Sequence, residues 1–463
     1  MKLKMIGRIL LSLGLITLFL PLSAFAAART ASVSGNWNST ATWGGSSIPV
    51  AGDTVTINSG VIVTVTAAAA CTSVSFVKPT ANNGITISGT NTLAVSGAIT
   101  TIAPTNNNRT TTISVGAGTL TAGSIALAAT TGTGRYSSLT LSTGTVTVSG
   151  NITTAGTGSR IIFSGSGIIN AGGTFMSGTA GTFTASTGTV NFNGAGVQTI
   201  ASFGYTFNNV TLSGSGTKAI SSTGTINGKL SIAPDLGGAT ANITAGITKT
   251  VGSLMIGGLG TINGTWGSTS SAATYTNNTY FSATTGKLSV TNDTRTAQTT
   301  LIAVATPSTV PYGTTSTLSS TGGSGTGVVT FSVGASTGCS ITGGTTLNVS
   351  NASGTCTVTA TKAADANYTS ATSAGLSVTL QKANQTTLTA IATPSTVPYG
   401  ITSTLSTSGG TGTGSVTFDA GLSTGCSILG TTLSVIDASG SCSITATKAA
   451  DSNYNSITSS PIT

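Results

Sequence analysis

Gly144-Thr-Val-Thr-Val-Ser-Gly-Asn151 decides how the first part of the chain is read. Val146 and Val148 are two residues apart, so in an extended strand both face one side while Thr145 and Thr147 face the other. Ser149, Gly150 and Asn151 then suit a bend. The same alternation, ended each time by Gly, Asn, Ser or Thr, recurs at Val55/Ile57, Val63/Val65, Ile85/Ile87, Leu93/Val95, Ile113/Val115, Leu139/Leu141 and Leu230/Ile232. Strands this short, with no helical period between them, cannot build βαβ units. Gly-Thr-Val or Gly-Thr-Ile recurs at Gly144, Gly188, Gly224 and Gly260, with gaps of 44, 36 and 36 residues. Gaps near 40 fit two turns of about 20 residues in a right-handed parallel β-helix. Such a solenoid needs small or branched apolar residues inside and Gly or Asn at its bends. A propeller would need longer blades and a steadier period, and ranks second. The expectation for 27–295 is a right-handed parallel β-solenoid in an all-β chain.

Composition narrows the chemistry. Charged residues make up 5% of the 463, against roughly 25% in an ordinary soluble domain. There is no His, and all seven acidic residues are Asp. That excludes His general bases, Ser-His-Asp and Cys-His triads, His metal sites and paired Glu carboxylates. The net charge is +9, but Lys2, Lys4 and Arg8 precede an apolar run over 9–22, and Ala24-Phe25-Ala26 supplies a small–x–small cleavage pattern. Residues 1–26 therefore read as a secretory signal peptide, which places the mature chain outside the cell. No membrane span is expected after its removal. The remaining positive charges, among them Lys78, Arg109, Arg135, Arg160, Lys218, Lys229 and Lys249, are scattered singly along the sequence, so a nucleic-acid partner is not expected.

Beyond residue 297 the chain repeats. Gln298-Thr-Thr-Leu-Ile-Ala-Val-Ala-Thr-Pro-Ser-Thr-Val-Pro-Tyr-Gly313 returns as Gln385-Thr-Thr-Leu-Thr-Ala-Ile-Ala-Thr-Pro-Ser-Thr-Val-Pro-Tyr-Gly400, an offset of 87. Cys339 and Cys426 keep that offset, while Cys356 and Cys442 differ by 86. Ala-Thr-Lys-Ala-Ala-Asp-x-Asn-Tyr recurs, ending at Tyr368 and Tyr454. Short alternating runs at 300–305, 316–319, 328–333, 346–349, 356–360 and 376–380, separated by Gly and Ser, predict antiparallel β-sandwiches over 298–384 and 385–463. Because both Cys pairs recur in a chain read as exported, Cys339–Cys356 and Cys426–Cys442 are expected to be disulfides. Ile462 aligns with Leu376, so repeat 2 is expected to be truncated in its last strand, lacking the equivalents of 378–384.

These units resemble bacterial immunoglobulin-like repeats, with Ala-Thr-Lys-Ala-Ala-Asp-x-Asn-Tyr as the most specific part. The resemblance implies stalk modules, some of which carry an adhesive tip. Asn36-Trp-Asn-Ser-Thr-Ala-Thr-Trp43 with Ile48-Pro-Val-Ala-Gly-Asp-Thr-Val-Thr-Ile57 resembles the opening of G8-type domains and related secreted solenoids. Phe192-Asn-Gly-Ala-Gly-Val-Gln-Thr-Ile200 and Phe207-Asn-Asn-Val-Thr-Leu-Ser-Gly-Ser-Gly-Thr-Lys218 are similar to β-strand-repeat surface proteins of bacteria. Both imply an extracellular scaffold with no catalytic motif.

Candidate chemistry is sparse. Gly214-Ser-Gly-Thr-Lys-Ala219 satisfies a dinucleotide pattern, but no helix is expected there and Asp235 follows Pro234 in a turn, so turn chemistry is preferred and no cofactor is expected. Residues 27–295 hold only Asp53, Asp235 and Asp293, too dispersed for glycoside hydrolysis with its two flanking carboxyls. A lyase using Arg135 or Arg160 as base is the sharper alternative to plain solvated arginines. Asp53 reads as a turn cap and not as a metal ligand, because no acidic cluster surrounds it. Asp365 and Asp451 read as turn formers before Tyr368 and Tyr454, and these tyrosines as corner residues with a backbone-bonded hydroxyl. Trp37, Trp43 and Trp266 offer either a glycan-stacking platform or covers for the open ends of the solenoid, and capping is favoured because a solenoid core needs it. Cys71 reads as a small apolar filler. Pairs such as Thr54/Thr56 and Thr145/Thr147 invite an ice-binding reading, which an irregular turn length opposes. The expected function is an adhesin-like surface protein, not an enzyme, whose partner is a glycan, a surface or a protein held along an extended face. The alternative is a carbohydrate-active solenoid.

Overall fold

The computed structural model describes residues 26–200 and 203–463. The expected signal peptide, 1–26, lies outside the described residues apart from Ala26. The chain divides into two units, one made of 1–258 and 263–292, the other of 259–262 and 293–463. The boundary thus falls at 292/293, and the short excursion 259–262 belongs with the second unit.

The first unit is a β-solenoid. Among the described residues, its strands form one long sheet, a second of seven strands and a third of three. Parallel pairing aligns the inward side chains in columns. Leu93 stacks on Leu120, Leu120 on Val146, Val146 on Ile169, Ile169 on Val190 and Val190 on Val210, and all six are buried. The second sheet repeats this with Val63, Ile85, Ile113, Leu139 and Ile161. Each added turn removes apolar surface from water on both its faces, which is how strands of four residues become stable. The seven-stranded sheet ends at Thr182–Thr184 and the three-stranded one begins at Gln198–Ile200. Phe175, Phe183 and Phe207 fill the changeover, with ring centroids 5.5 Å and 5.1 Å apart.

A single turn length of about 20 residues does not hold. Neighbouring turns are 19 residues apart at Thr54 and Ser73 but 28 apart at Asn83 and Thr111. Gly144 and Gly188 do stand two turns apart, because Thr145 pairs with Ile168 and Ile168 with Thr189. Gly224 does not continue the series: Thr225 pairs with Thr206, in a different part of the turn. Gly260 lies outside the solenoid unit altogether. Only the inward columns must stay in register, so bends can gain or lose residues freely. The outward rows are equally irregular. Thr119 meets Thr145, but Ile168 follows in that row, and Thr147 is succeeded by Asn170 and Asn191. Asn170 Nδ2 donates to Thr147 Oγ1 (3.0 Å), Asn191 Nδ2 to Asn170 Oδ1 (3.0 Å) and Ser213 Oγ to Asn191 Oδ1 (2.7 Å). This is a mixed polar ladder and not a ranked Thr array.

In the second unit each repeat forms separate antiparallel sheets around a shared core. Repeat 1 sets Leu301–Thr306, Thr315–Gly322, Thr346–Val349 and Cys339–Thr342 in one sheet, and Val329–Ser332, Thr357–Lys362, Ala371–Thr372 and Leu376–Ser377 in another. Repeat 2 follows with Leu388–Thr393, Thr402–Gly409, Thr432–Val435 and Cys426–Leu429 facing Val416–Asp419, Thr445–Lys448 and Ile457–Thr458. Both expected disulfides are present, each with Cα atoms 5.6 Å apart. The one-residue difference between repeats lies in the hairpin Thr342-Gly-Gly-Thr-Thr346, which is Leu429-Gly-Thr-Thr432 in repeat 2. No α-helix occurs among the described residues, and none is long and apolar enough to cross a membrane.

Candidate functional site

The three tryptophans close the solenoid core. Trp37 and Trp43 are buried, edge to face at 5.2 Å, and Trp43 Nε1 donates to the Trp37 carbonyl at 2.7 Å. Their turn ends in the short 3-10 helix Thr40–Trp43, beside the first strands. Trp266 is buried at the other end, where Gly264–Gly267 runs antiparallel to Lys287–Val290, and stacks on Tyr275 at 4.9 Å. All three rings are committed to packing and present no face for a sugar.

The carboxylates are also committed. Asp53 accepts from Ala27 N (2.9 Å), Arg29 Nε (3.0 Å) and Val50 N (3.2 Å). Burial pushes its pKa up, but these donors and the Arg29 charge outweigh that and hold it below the usual value. Its role as a turn cap holds, and the ion pair adds a tie between the first strand and the 50–53 turn. Asp235 caps its own turn by accepting from Gly237 N and ties it to the preceding turn by accepting from Gly214 N, both at 3.1 Å. Asp293 pairs with Arg295 at 2.7 Å, and Arg295 Nη1 also donates to the Asp365 carbonyl at 3.0 Å. Cys71 is a buried free thiol, pushed up to about 12 by burial and then by the Asp53 charge, as suits an inert filler. No group of three or more potential metal ligands from Cys and Asp stands together among the described residues.

Folding does gather arginines that the sequence scatters. Arg109, Arg135 and Arg160 are 26 and 25 residues apart, close to one turn each. Tyr136 pairs with Thr110, which sets Arg135 beside Arg109 just before their strands, while Ser138 pairs with Arg160, which places Arg160 on the next turn three positions further along. Arg160 Cζ lies 3.1 Å from the centroid of the Tyr136 ring, a cation–π contact. Arg135 Nε donates to Asn107 Oδ1 at 3.0 Å, and Arg109 is exposed. Arg160 Nε is buried and makes no hydrogen bond among the described residues. The cluster is cationic and aromatic, with no carboxylate paired to it among the described residues.

Two buried lysines escaped the sequence reading. Lys218 shares the inward column with Gln198 and Ala241. Its Nζ donates to Gln198 Oε1 (2.8 Å), Ser215 O (3.0 Å) and Gly196 O (3.3 Å), and also to Gly194 O. Lys249 Nζ reaches the carbonyls of Ser222, Thr223 and Gly224. Burial lowers the pKa of both amines. Each clamps bend carbonyls from inside. The signal was the alternation itself, since Lys218/Ile220 and Gln198/Ile200 place the polar residues on the apolar face.

The repeated Asp-x-Asn-Tyr segment forms joints. Asp365 accepts from Thr326 N (2.7 Å), Asn367 N (2.9 Å) and Tyr368 N (2.8 Å), and Asp451 does the same with Thr413, Asn453 and Tyr454. Asn367 Nδ2 donates to Gly260 O at 3.1 Å. In repeat 2, Asn453 Oδ1 accepts from Ala352 N at 2.9 Å and Tyr454 packs edge-on against Tyr312 at 5.3 Å, both residues of repeat 1. The turn-former expectation holds for both Asp. The corner expectation is corrected: the Tyr368 and Tyr454 hydroxyls bond no backbone group among the described residues, and the Tyr454 ring serves the neighbouring repeat instead.

The chain matches no family model, no curated protein and no solved structure.

Proposed function

We propose that this chain is an exported, non-catalytic surface protein: a right-handed, adhesin-like solenoid joined to two immunoglobulin-like repeats that serve as its stalk. The observation that carries the reading is the commitment of its reactive groups. Asp53, Asp235, Asp293 and all three tryptophans are used to close turns and ends, while the outward Thr/Asn ladder and Arg135 are half-buried and Arg109 is exposed. Two disulfides agree with an oxidising compartment. The ligand class that suits Arg109 and Arg135, beside Arg160 on Tyr136, is an anionic glycan, since guanidinium groups pair with carboxylate or sulfate. Neither nucleic acid nor a bilayer is the intended partner.

A glycan array tests this. Acidic polysaccharides are expected to be retained, and Arg109→Gln with Arg135→Gln is expected to weaken retention about tenfold through two lost charge-assisted contacts. Unchanged retention in that variant removes the arginine cluster from the proposal. The second reading, a lyase-type carbohydrate-active solenoid, draws on the same cluster, because Tyr136 and two arginines converge there.

A further inference from the structure

We propose that the solenoid carries a subsite for one uncharged pyranose ring at the place where its seven-stranded sheet stops. The inward column of Val63, Ile85, Ile113, Leu139 and Ile161 continues to Phe183, which pairs with Ile161. Its first five members are buried, but Phe183 is only half-buried. The reason is topological: Thr182–Thr184 is the last strand of its sheet among the described residues, so no successor covers that ring. A cleft of about 360 Å³ opens there, within the size range of small-molecule sites. Phe183 and Phe207 supply its apolar lining, and Thr184, Thr206, Asn208 and Asn227 its polar lining.

The cleft is held in shape. Ser186, also in its wall, has a φ of 42°, in the left-handed region that residues with a side chain seldom adopt. Asn208 Nδ2 donates to the Ser186 carbonyl at 2.6 Å and pins that bend. Backbone strain of this kind persists only where the surroundings enforce it, and it gathers at binding sites. The hydrogen-bonding groups are not used up by this. Asn208 Oδ1 and the exposed Asn227 amide make no hydrogen bond to another described residue.

The occupant follows from this chemistry. None of the residues lining the cleft is charged, so an ion would find no countercharge. An apolar side chain would cover two amides and replace none of their bonds to water. A pyranose ring meets both demands, with a C–H face for the half-buried ring and hydroxyls for the asparagines. The assignment does not rest on the arginine cluster, although Arg160 pairs with Thr182 on the adjoining strand.

The full chain is titrated with cellohexaose, xylohexaose and mannohexaose, followed by saturation-transfer NMR. At least one of the three is expected to bind saturably, one per chain, with the strongest transfer to carbon-bound ring protons. Asn227→Ala, at an exposed position, is expected to weaken that binding about fivefold through one lost hydrogen bond. Thr206→Tyr, also at an exposed position, adds a ring to the cleft and is expected to abolish binding with unchanged circular dichroism. Arg109→Gln with Arg135→Gln is expected to leave the binding of these uncharged sugars as it was. Thr206→Tyr is likewise expected to retain acidic polysaccharides, so that the cleft and the arginine cluster stand or fall separately. No binding of any of the three sugars, full-strength binding in either cleft variant, or loss of binding in the arginine variant would overturn the assignment.

Discussion

At the residue scale, polar side chains stitch turn to turn. Asp53 is 3% exposed and its partner Arg29 22%, so the pair is drawn largely out of water and removal of one member leaves the other unsatisfied. Asp53→Ala is expected to cost roughly 2–3 kcal/mol of solenoid stability, read from the urea midpoint. A change within a few tenths would mean that the pair is not a structural tie. Asp365 and Asp451 supply the pH dependence of the second unit. The backbone amide of Thr413, followed by that of Asn453, holds the Asp451 carboxyl down at about 2. At Asp365 burial works upward, but Thr326, Asn367 and Tyr368 outweigh it and the net shift is downward from 3.8. Both therefore bind protons more weakly folded than unfolded. Their stabilisation is complete above 3.8 and is lost as the pH falls through the folded values. Unfolding of the chain monitored between pH 4 and 2 is expected to show this loss, and Asp451→Asn to flatten it. An unchanged slope in that variant would contradict the assignment.

At the element scale, what could be read beforehand was whatever a period of two encodes. Val146 and Val148 must share a face, and the columns through Leu120, Val146 and Ile169 follow. Turn length could not be read, because residues added at bends leave those columns undisturbed; hence Gly224 and Gly260 misled. Contacts between turns were hidden for the same reason. Arg29 and Asp53 are 24 residues apart, and Arg135 comes beside Arg109, with Arg160 on the next turn, only once the register is known. Lys218 stands among the singly scattered positive charges of the sequence, yet its alternation with Ile220 places it inside. The Cys pairs were legible because the repeat supplied its own comparison. Each bond closes a span of 16 or 17 residues, and replacing Cys339 and Cys356 together by Ala is expected to lower stability by about 3 kcal/mol. Cys442 is half-buried where Cys356 is buried. Mild dithiothreitol is therefore expected to open 426–442 first, as mass mapping of trapped thiols will show. Simultaneous opening of both bonds would contradict that difference in access.

At the scale of the whole molecule, a chain with few charges commits many of them to its architecture. Carboxylates close turns, lysines hold bends from within, and tryptophans close both ends of the core. In the proposed reading, recognition falls to the outward Thr/Asn rows and to the arginines at 109, 135 and 160. The joints between repeats use the same economy, since one Asp-x-Asn-Tyr segment both forms its own turn and grips the neighbour. The central claim is binding without cleavage. It is tested most directly by incubating the full chain with each acidic polysaccharide it retains and weighing the sugar chains by mass spectrometry. The account predicts undiminished chain length at every time point. Shortened chains with unsaturated ends, produced by the wild type and not by Arg160→Ala, would contradict it.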